Sequence, residues 1–526
     1  MSFGRAEHVS WKSVPTLTRA VKSCRSATSI YWAPSTLIMV IGCATVDPSP
    51  DYQRADRLIA ERTGVEGVYD PEADELIAEK VDRLLSDGLT VEEAVQVALL
   101  NNRSFQALFH EIGLSRAEVV RSGLMTNPSL GLSLRFPEGG GRSNLTLTLA
   151  QELIDLWQIP VRKRIAEAQL EQTVLSVARR AVDLAADVTV KYYQLLGFLL
   201  AQEIAQQNLE LVERSLKLAQ DRYTAGQAGK LDVNLTQANL LDVKLEMMSL
   251  GRECRIADVE LARALGLVRG EQSWKLKGSL PEGPVSVADH TTLLVFAMGR
   301  RMDARAMAMQ VQAAEDEIRQ QYLNIVPSVT LGAELERTEN RALPGRKIPA
   351  DTVRESVRNG QPTVPSIQSR DERNAEKRQI IDSLLGPTLD ITLPVWHQNQ
   401  PEIAKARFKA SQKRKEYEDL LDAVAQDVEQ AFTRVKVAEE VVTFFEKQAL
   451  PQARENVDVA QRVYQAGKES IIALIDAQKS LIRQRGECIN IRRDYAIALA
   501  ELKRAVGGGL PSEQPNESPS TQPKPQ

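Results

Sequence analysis

The sequence predicts a mainly α fold of long antiparallel coiled-coil helices, together with a small transmembrane β part. Three observations predict it: an internal duplication, two very long stretches of helical periodicity, and four short stretches in which apolar and polar residues alternate. The chain has 526 residues, of which 43% are hydrophobic but only 5% aromatic. This composition suits long helices better than aromatic-rich globular cores.

The chain contains two copies of one unit. Pro160 corresponds to Pro401, and the YTAG stretch at 223–226 corresponds to the YQAG stretch at 464–467, each pair 241 residues apart. A fixed offset over separated matches indicates a tandem duplication. We therefore assign one structural repeat to residues 90–266 and a second to 290–508, joined by a linker at 267–289.

Each repeat contains an unusually long helical pattern. Apolar residues recur with helical spacing over 161–222 and again over 401–463, and shorter helices are predicted at 231–265 and 470–506. At a rise of 1.5 Å per residue, each long helix would measure roughly 90 Å. Such lengths indicate coiled-coil packing against similar helices, or a span across something wide.

Four strands are predicted from strict alternation, as in Leu130, Leu132 and Leu134 around Ser133. Strands of about nine residues with one apolar face match a transmembrane β-barrel, although a soluble sheet with one buried face is the alternative. Four strands cannot close a barrel and open edges are not tolerated in lipid, so several chains would share one barrel. The predicted strands are 127–137, 143–152, 326–336 and 387–394, with Arg135, Glu334 and Asp390 on the lumen side.

The second repeat carries about 42 extra residues between its strands, because the offset between the repeats is only 199 at Pro128 and Pro327. The insertion is rich in Arg, Glu, Pro and Asn, which predicts a long polar loop at 337–386. A short helix is expected within it at 371–385.

The first 42 residues resemble a bacterial lipoprotein signal. Basic residues precede an apolar run from Ile30 to Ile41, and Gly42 then precedes Cys43. In such signals the cysteine is lipidated and becomes the first residue, so we expect Cys43 to carry the anchor. An ordinary secretory signal with an incidental cysteine is the alternative. Residues 43–89 form an N-terminal extension, and the Pro- and Ser-rich residues 509–526 are expected to be disordered.

Charge and residue types exclude several functions. The 66 basic and 70 acidic residues are spread along the chain and give a net charge of -4, so nucleic acid is not an expected partner. Its four histidines are scattered without metal-ligand spacing, and no catalytic constellation is visible, so neither a cofactor nor an enzyme is expected. Cys254 and Cys488 are expected to be unpaired thiols, with a disulfide as the alternative.

Four motifs resemble the TolC-like outer-membrane efflux proteins: LPQA at 450–453, VYQAGK at 463–468, LIDAQ at 474–478 and AELKRAVG at 500–507. The resemblance covers roughly residues 90–508. It implies a homotrimer whose twelve strands close one β-barrel in outer-membrane lipid and whose helices form a periplasmic α-barrel. Such a trimer would be the passive exit duct for an inner-membrane pump and a periplasmic adaptor. A soluble periplasmic coiled-coil scaffold or adaptor without a barrel is the alternative.

The resemblance also implies roles for particular residues. Asp476 would be an inward carboxylate at the pore constriction, and Tyr464 would contact Asp232 between neighbouring coils. The position of a second inward aspartate is Ala473 here, and Glu469 replaces an expected basic residue, so the constriction carries a different charge. The adaptor would meet the helical turns at Tyr223, Ala225, Gly226, Ala466 and Gly467.

Overall fold

We describe the protein from a computed structural model. The structure describes residues 44–71, 77–136, 143–227, 229–267, 274–281, 283, 285–339, 348–364, 381–465 and 471–511. Cys43, Ala466 and Gly467 lie outside the described residues, as do residues 512–526 of the predicted tail. Leu510 is almost fully buried in a hydrophobic cluster, so the tail does not begin at residue 509 as predicted.

Within residues 44–71 and 77–128, four helices precede the sheet, and they are not a separate extension. Thr90 and Glu93 form a reciprocal capping box at the start of the third helix, Val91–Asn101. Phe105 and Phe109 pack in one core with Ile59 of the first helix and with Tyr192 of the long helix described below. The four helices are α1 (Ser49–Thr63), α2 (Ile77–Ser86), α3 (Val91–Asn101) and α4 (Arg103–Ser122).

The four predicted strands form one antiparallel sheet in chain order, so the hairpins of the two repeats join edge to edge. Leu132 pairs with Leu147, Leu147 with Leu335, and Leu335 with Leu385, which places one leucine from every strand in a row on the same face. The strands are β1 (Ser129–Arg135), β2 (Asn144–Glu152), β3 (Ser328–Glu339) and β4 (Ile381–Thr392).

The insertion in the second repeat differs from its prediction. β4 begins at Ile381, which pairs with Glu339, so the β3–β4 hairpin reaches further than the alternation indicated. The helix expected at 371–385 is wrong for residues 381–385, which are strand, while 371–380 lie outside the described residues. A helix is present instead at Ile348–Asn359 (α9).

The first repeat contains an uninterrupted helix of 70 residues, α5 (Asp155–Thr224). It is about 105 Å long at 1.5 Å per residue. The helix begins six residues before the predicted start because Pro160, near its N-terminus, removes only one backbone hydrogen bond. After a turn, α6 (Lys230–Ala264) runs back along it.

The corresponding helix of the second repeat is not continuous, so the single helix predicted at 401–463 is wrong. It comprises α10 (Gln400–Phe444), a π-helical turn (Phe445–Ala449) and α11 (Leu450–Gln465). The cause is Pro451, which has no N–H to donate and crowds the carbonyl of the preceding turn. The Leu450 N–H bonds to the Phe445 carbonyl, five residues back, and this wider turn accommodates the proline.

Three further helices complete the second repeat: α7 (His290–Arg300), α8 (Met302–Leu323) and α12 (Ile471–Ala505). The linker between the repeats is held where the single hydrogen of the Tyr192 hydroxyl is shared between the carbonyls of Leu89 and Lys277, at 3.0 and 2.8 Å. Burial raises the pKa of Tyr192 to about 12.

Cys254 and Cys488 are buried free thiols, as predicted. None of the helices in the described part of the chain is long and apolar enough to cross a membrane.

A buried charge network joins α8 to α10. The Arg301 side chain is only 4% exposed and binds Asp303 through Nε at 3.1 Å and Nη2 at 2.6 Å. Its Nη1 donates to Asp427 of α10 at 2.8 Å. Burial acts to raise the pKa of Asp303, but the hydrogen bond from Arg301 and the charges of Arg179 and Arg301 outweigh it and lower that pKa.

Candidate functional site

The first helical turn is described except for residue 228. Gly226 has a φ of 73°, a left-handed conformation that glycine adopts without steric cost. The Gln227 N–H bonds to the Arg222 carbonyl at 2.8 Å, and the Gly226 N–H to the Tyr223 carbonyl at 3.0 Å, which closes the end of α5. Tyr223 and Ala225 are exposed on this turn. A ligand or partner can therefore reach them in the isolated chain.

The second turn is described only at its flanks, α11 and α12. Tyr464 is 6% exposed and packs against Leu474 and Ile475 of α12. The Arg222 guanidinium lies over the Tyr464 ring, 4.6 Å from its centroid, in a cation–π contact. This contact brings the turn of the first repeat close to the turn of the second. Sequence reasoning missed Arg222, because the contact joins residues far apart in the chain.

Asp232 is half-buried and caps its own helix. Its carboxylate accepts the Gly229 N–H at 3.3 Å at the first turn of α6. Within the described part of a single chain, no hydrogen bond joins Asp232 to Tyr464. The contact implied by the resemblance lies between neighbouring coils, so it stays a prediction.

Asp476 is exposed near the start of α12, and it follows the buried pair Leu474 and Ile475. Ala473, at the position where the resemblance implies a second inward aspartate, is exposed as well. Both side chains therefore lie on the face of α12 that the chain itself does not cover. That placement suits a carboxylate that lines a pore formed with other chains.

The three predicted lumen residues lie on one face of the sheet, opposite the leucine row. Glu334 is paired with Thr148 and Gly386, Asp390 with Thr330, and Arg135 with Asn144. Glu336 of β3 lies on the same face and was missed, although the two-residue period marks it. The described residues contain no group of three or more His, Cys, Asp or Glu side chains arranged to hold a metal ion.

Residues 94–267 and 293–508 match the family model described as outer membrane efflux protein. The chain belongs to this family. The two matched segments agree with the two predicted repeats to within four residues at each end. The family comprises transport channels rather than enzymes, so this outer membrane efflux protein is an exit channel that extends from the outer membrane into the periplasm.

Three relatives illustrate the similarity. The pyoverdine export outer membrane protein OpmQ of Pseudomonas aeruginosa is 23% identical, covering 81% of this chain and 86% of OpmQ. TolC of Escherichia coli is 20% identical, covering 80% of this chain and 83% of TolC. A solved structure of CusC superimposes with a TM-score of 0.62 at 15% identity, covering 80% of this chain and 92% of CusC, and so shows the same fold.

Proposed function

We propose that three copies of this chain form one exit duct, with a twelve-stranded β-barrel in the outer membrane and a periplasmic tunnel of helices. The observation that carries the proposal is the sheet. The outer leucines of its row are exposed, with Leu132 66% and Leu385 77% accessible, and strands β1 and β4 pair with one neighbour each in the described chain. Neighbouring copies would pair those edges, and lipid would cover the leucines.

Adjacent residues on opposite faces of β1 test this proposal. An arginine at the middle of a lipid-facing strand costs about 2–4 kcal/mol, whereas one on the lumen face is solvated. Leu132→Arg should therefore abolish the detergent-resistant trimer extracted from outer membranes, and Ser133→Arg should retain it. Equal trimer yields from the two variants would contradict the assignment of the faces. Release of the wild-type chain by alkaline carbonate would favour a soluble scaffold instead.

In the proposed trimer, Asp476 forms a ring of three carboxylates in the narrow end of the tunnel. Its exposure on α12 supports this role. Such a ring attracts cations, and the attraction weakens as salt screens it. Asp476→Ala should lower cation selectivity and block by multivalent cations in planar bilayers, whereas Asp458→Ala, at an exposed position on α11, should not. Unchanged selectivity in Asp476→Ala would remove Asp476 from the pore.

The closed end would be held by Tyr464 and Asp232 between neighbouring coils. The tight packing of Tyr464 under Arg222 supports an ordered end at this place. Tyr464→Phe combined with Asp232→Ala should raise single-channel conductance and antibiotic entry. The exposed Tyr223→Phe serves as the control. Unaltered leakiness in the double variant would show that the pair does not hold the pore closed.

The two helical turns would contact the periplasmic adaptor, which in turn joins the inner-membrane pump. Exposure of Tyr223 and Ala225 beside Gly226 supports this for the first turn, and Ala466 and Gly467 are assigned by the repeat. Ala225→Arg should reduce adaptor cross-linking and drug resistance without loss of trimer. Loss of resistance with intact cross-linking would place the adaptor elsewhere.

Cys43 would carry the lipid anchor. Cys43→Ser should abolish incorporation of labelled palmitate and leave the fold unchanged. Labelling that persists in this variant would contradict the lipoprotein interpretation. Full labelling of the wild-type chain would exclude the ordinary secretory signal.

A further inference from the structure

A cavity of about 470 Å³ lies where the end of α1, the start of α3, the middle of α5 and the end of α12 meet. None of the residues that line it belongs to the turns, the sheet or the pore constriction. Much of its wall is aliphatic, including Val91, Val95, Val182, Ala186, Leu499 and Leu510. Its volume exceeds the room needed for one water molecule, and the wall favours an occupant with an apolar body.

One cation in this wall is buried. The Arg62 side chain is only 6% exposed and lines the cavity. Among the described residues, no atom accepts a hydrogen bond from its guanidinium, and its Nε and Nη1 atoms are closed off from solvent. Nη2 is not closed off, so an anion in the cavity can accept its hydrogen bonds. A buried guanidinium without such an acceptor is unfavourable.

The backbone fixes the position of Arg62. Gly64, with a φ of 71°, ends α1 two residues later, and its N–H bonds to the Ala60 carbonyl at 2.9 Å. On the other side, a Cβ atom added to Gly508 would lie 2.7 Å from the Arg62 carbonyl oxygen. The segment that follows α12 therefore packs directly on the backbone of Arg62, so the fold itself holds this cation in the wall.

Arg62 shares its one carboxylate with another cation. Within the described residues its only ion pair is with Glu61, whose Oε1 lies 3.6 Å from Arg62 Nη1 but 3.1 Å from Arg300 Nη2. The Glu61 side chain is also 55% exposed, so water weakens its pull on both guanidinium groups. The other charged side chains of the wall are the exposed Glu92, Lys503 and Arg504. The buried positive charge of Arg62 therefore favours an anion as the occupant.

We propose that this cavity binds a short-chain aliphatic monocarboxylate. Its carboxylate would accept hydrogen bonds from Nη2 of Arg62, and its chain would lie against the valines and leucines of the wall. One guanidinium matches one negative charge, so a dianion such as doubly ionised phosphate would leave a charge uncompensated in a largely apolar site. Because the wall includes residues of α5 and α12, the bound anion would join the first repeat to the second.

Isothermal titration of the full-length protein in lipid nanodiscs, with the heat of empty nanodiscs subtracted, tests the proposal with octanoate as the probe. The assay involves neither transport nor the pore residues, so its result is independent of the proposed function. We expect saturable binding by the wild type and at least about tenfold weaker binding by Arg62→Met, which removes the charge but keeps a long side chain. Arg62→Met should unfold at the same or a higher denaturant concentration, because it removes a buried cation that makes no hydrogen bond. Ala185→Leu, which narrows the cavity, should weaken binding about threefold or more.

The matched control is Arg57→Met, at an exposed position of α1 outside the cavity, and it should bind octanoate like the wild type. Octanamide has the same chain without the charge and should bind at least about tenfold more weakly than octanoate. No saturable binding of octanoate by the wild type, or equal binding by Arg62→Met, would overturn the proposal. Octanamide that binds as well as octanoate would overturn the role of the anion. Inorganic phosphate that displaces octanoate at an equal concentration would overturn the aliphatic part of the ligand.

Discussion

Replacing Arg301 with alanine removes the side chain that joins the start of α8 to α10. The guanidinium is almost fully buried and makes three hydrogen bonds to Asp303, at 3.1, 3.2 and 2.6 Å, one to Asp427 at 2.8 Å and one to the Ala505 carbonyl at 3.5 Å. The two carboxylates differ in accessibility. The Asp303 side chain is 23% exposed and that of Asp427 is 54% exposed.

These exposures set the expected size of the effect. Removing Arg301, the nearest cation to the mostly buried Asp303 carboxylate, should cost about 2–3 kcal/mol. The bond to Asp427 is screened by water and adds less than about 1 kcal/mol. We therefore expect Arg301→Ala to lower the free energy of unfolding by about 3 kcal/mol at pH 7.

The loss should depend on pH in a definite direction. The pKa of Asp303 is lowered in the folded protein, so its stabilisation is present above the unfolded pKa and is lost as pH falls through the folded pKa. Without Arg301, a hydrogen bond and a positive charge that lower that pKa are lost, so the pKa rises and acid neutralises the carboxylate at a higher pH. The difference in free energy of unfolding between the wild type and Arg301→Ala should therefore become smaller below about pH 4.

Guanidinium unfolding followed by tryptophan fluorescence, at one protein and detergent concentration, measures both effects. Arg434→Ala is the control, because Arg434 also joins α10 to α12 through Glu501 at 2.8 Å but is 54% exposed. It should cost under about 1 kcal/mol. If Arg301→Ala costs no more than Arg434→Ala, or if its cost does not shrink in acid, the network does not act as described.

Three further changes have defined outcomes in the same unfolding measurement or in thiol labelling. Gly226→Ala should destabilise the fold by about 1 kcal/mol because Gly226 has a positive φ. Gly251→Ala should stabilise the fold by about 0.5–1 kcal/mol, because Gly251 lies inside α6 and the new Cβ meets open space. The same sign for both variants would refute the conformational argument. Pro451→Ala restores an N–H and should stabilise by about 2 kcal/mol, and an unchanged unfolding midpoint would mean that the π turn has another cause. Burial raises the pKa of the Cys254 and Cys488 thiols, so iodoacetamide should label them slowly at pH 7 and faster as pH rises; rapid labelling of the folded protein would contradict their burial.

Local patterns in the sequence located most of the elements. Alternation identified all four strands, and the helical stripe identified the long helices of both repeats. The start of β4 was missed because adjacent Leu384 and Leu385, followed by Gly386 and Pro387, break the two-residue period. Pairing with β3 outweighs that local signal, so the hairpin continues to Ile381.

Tertiary contacts could not be predicted in the same way. The position of Arg222 over Tyr464 depends on how two distant helical hairpins meet, and no local period encodes it. Asp232 matched a family position, yet its location at the third residue of α6 also makes it a cap for its own helix. Whether Asp476 faces a lumen depends on neighbouring chains, and one sequence does not specify where they lie.

The interrupted helix of the second repeat has a mechanical consequence. A continuous α-helix such as α5 spreads any bending over its whole length, because every turn is closed by the same hydrogen bonds. The π turn at Phe445–Ala449 concentrates bending at one point, about a quarter of the way back from the C-terminal end of the helix that α10, the π turn and α11 form together. Each chain therefore combines one continuous long helix, α5, with one long helix that can bend at its π turn. In a ring of such chains the two kinds of helix alternate, and bending of the ring would be concentrated at the π turns.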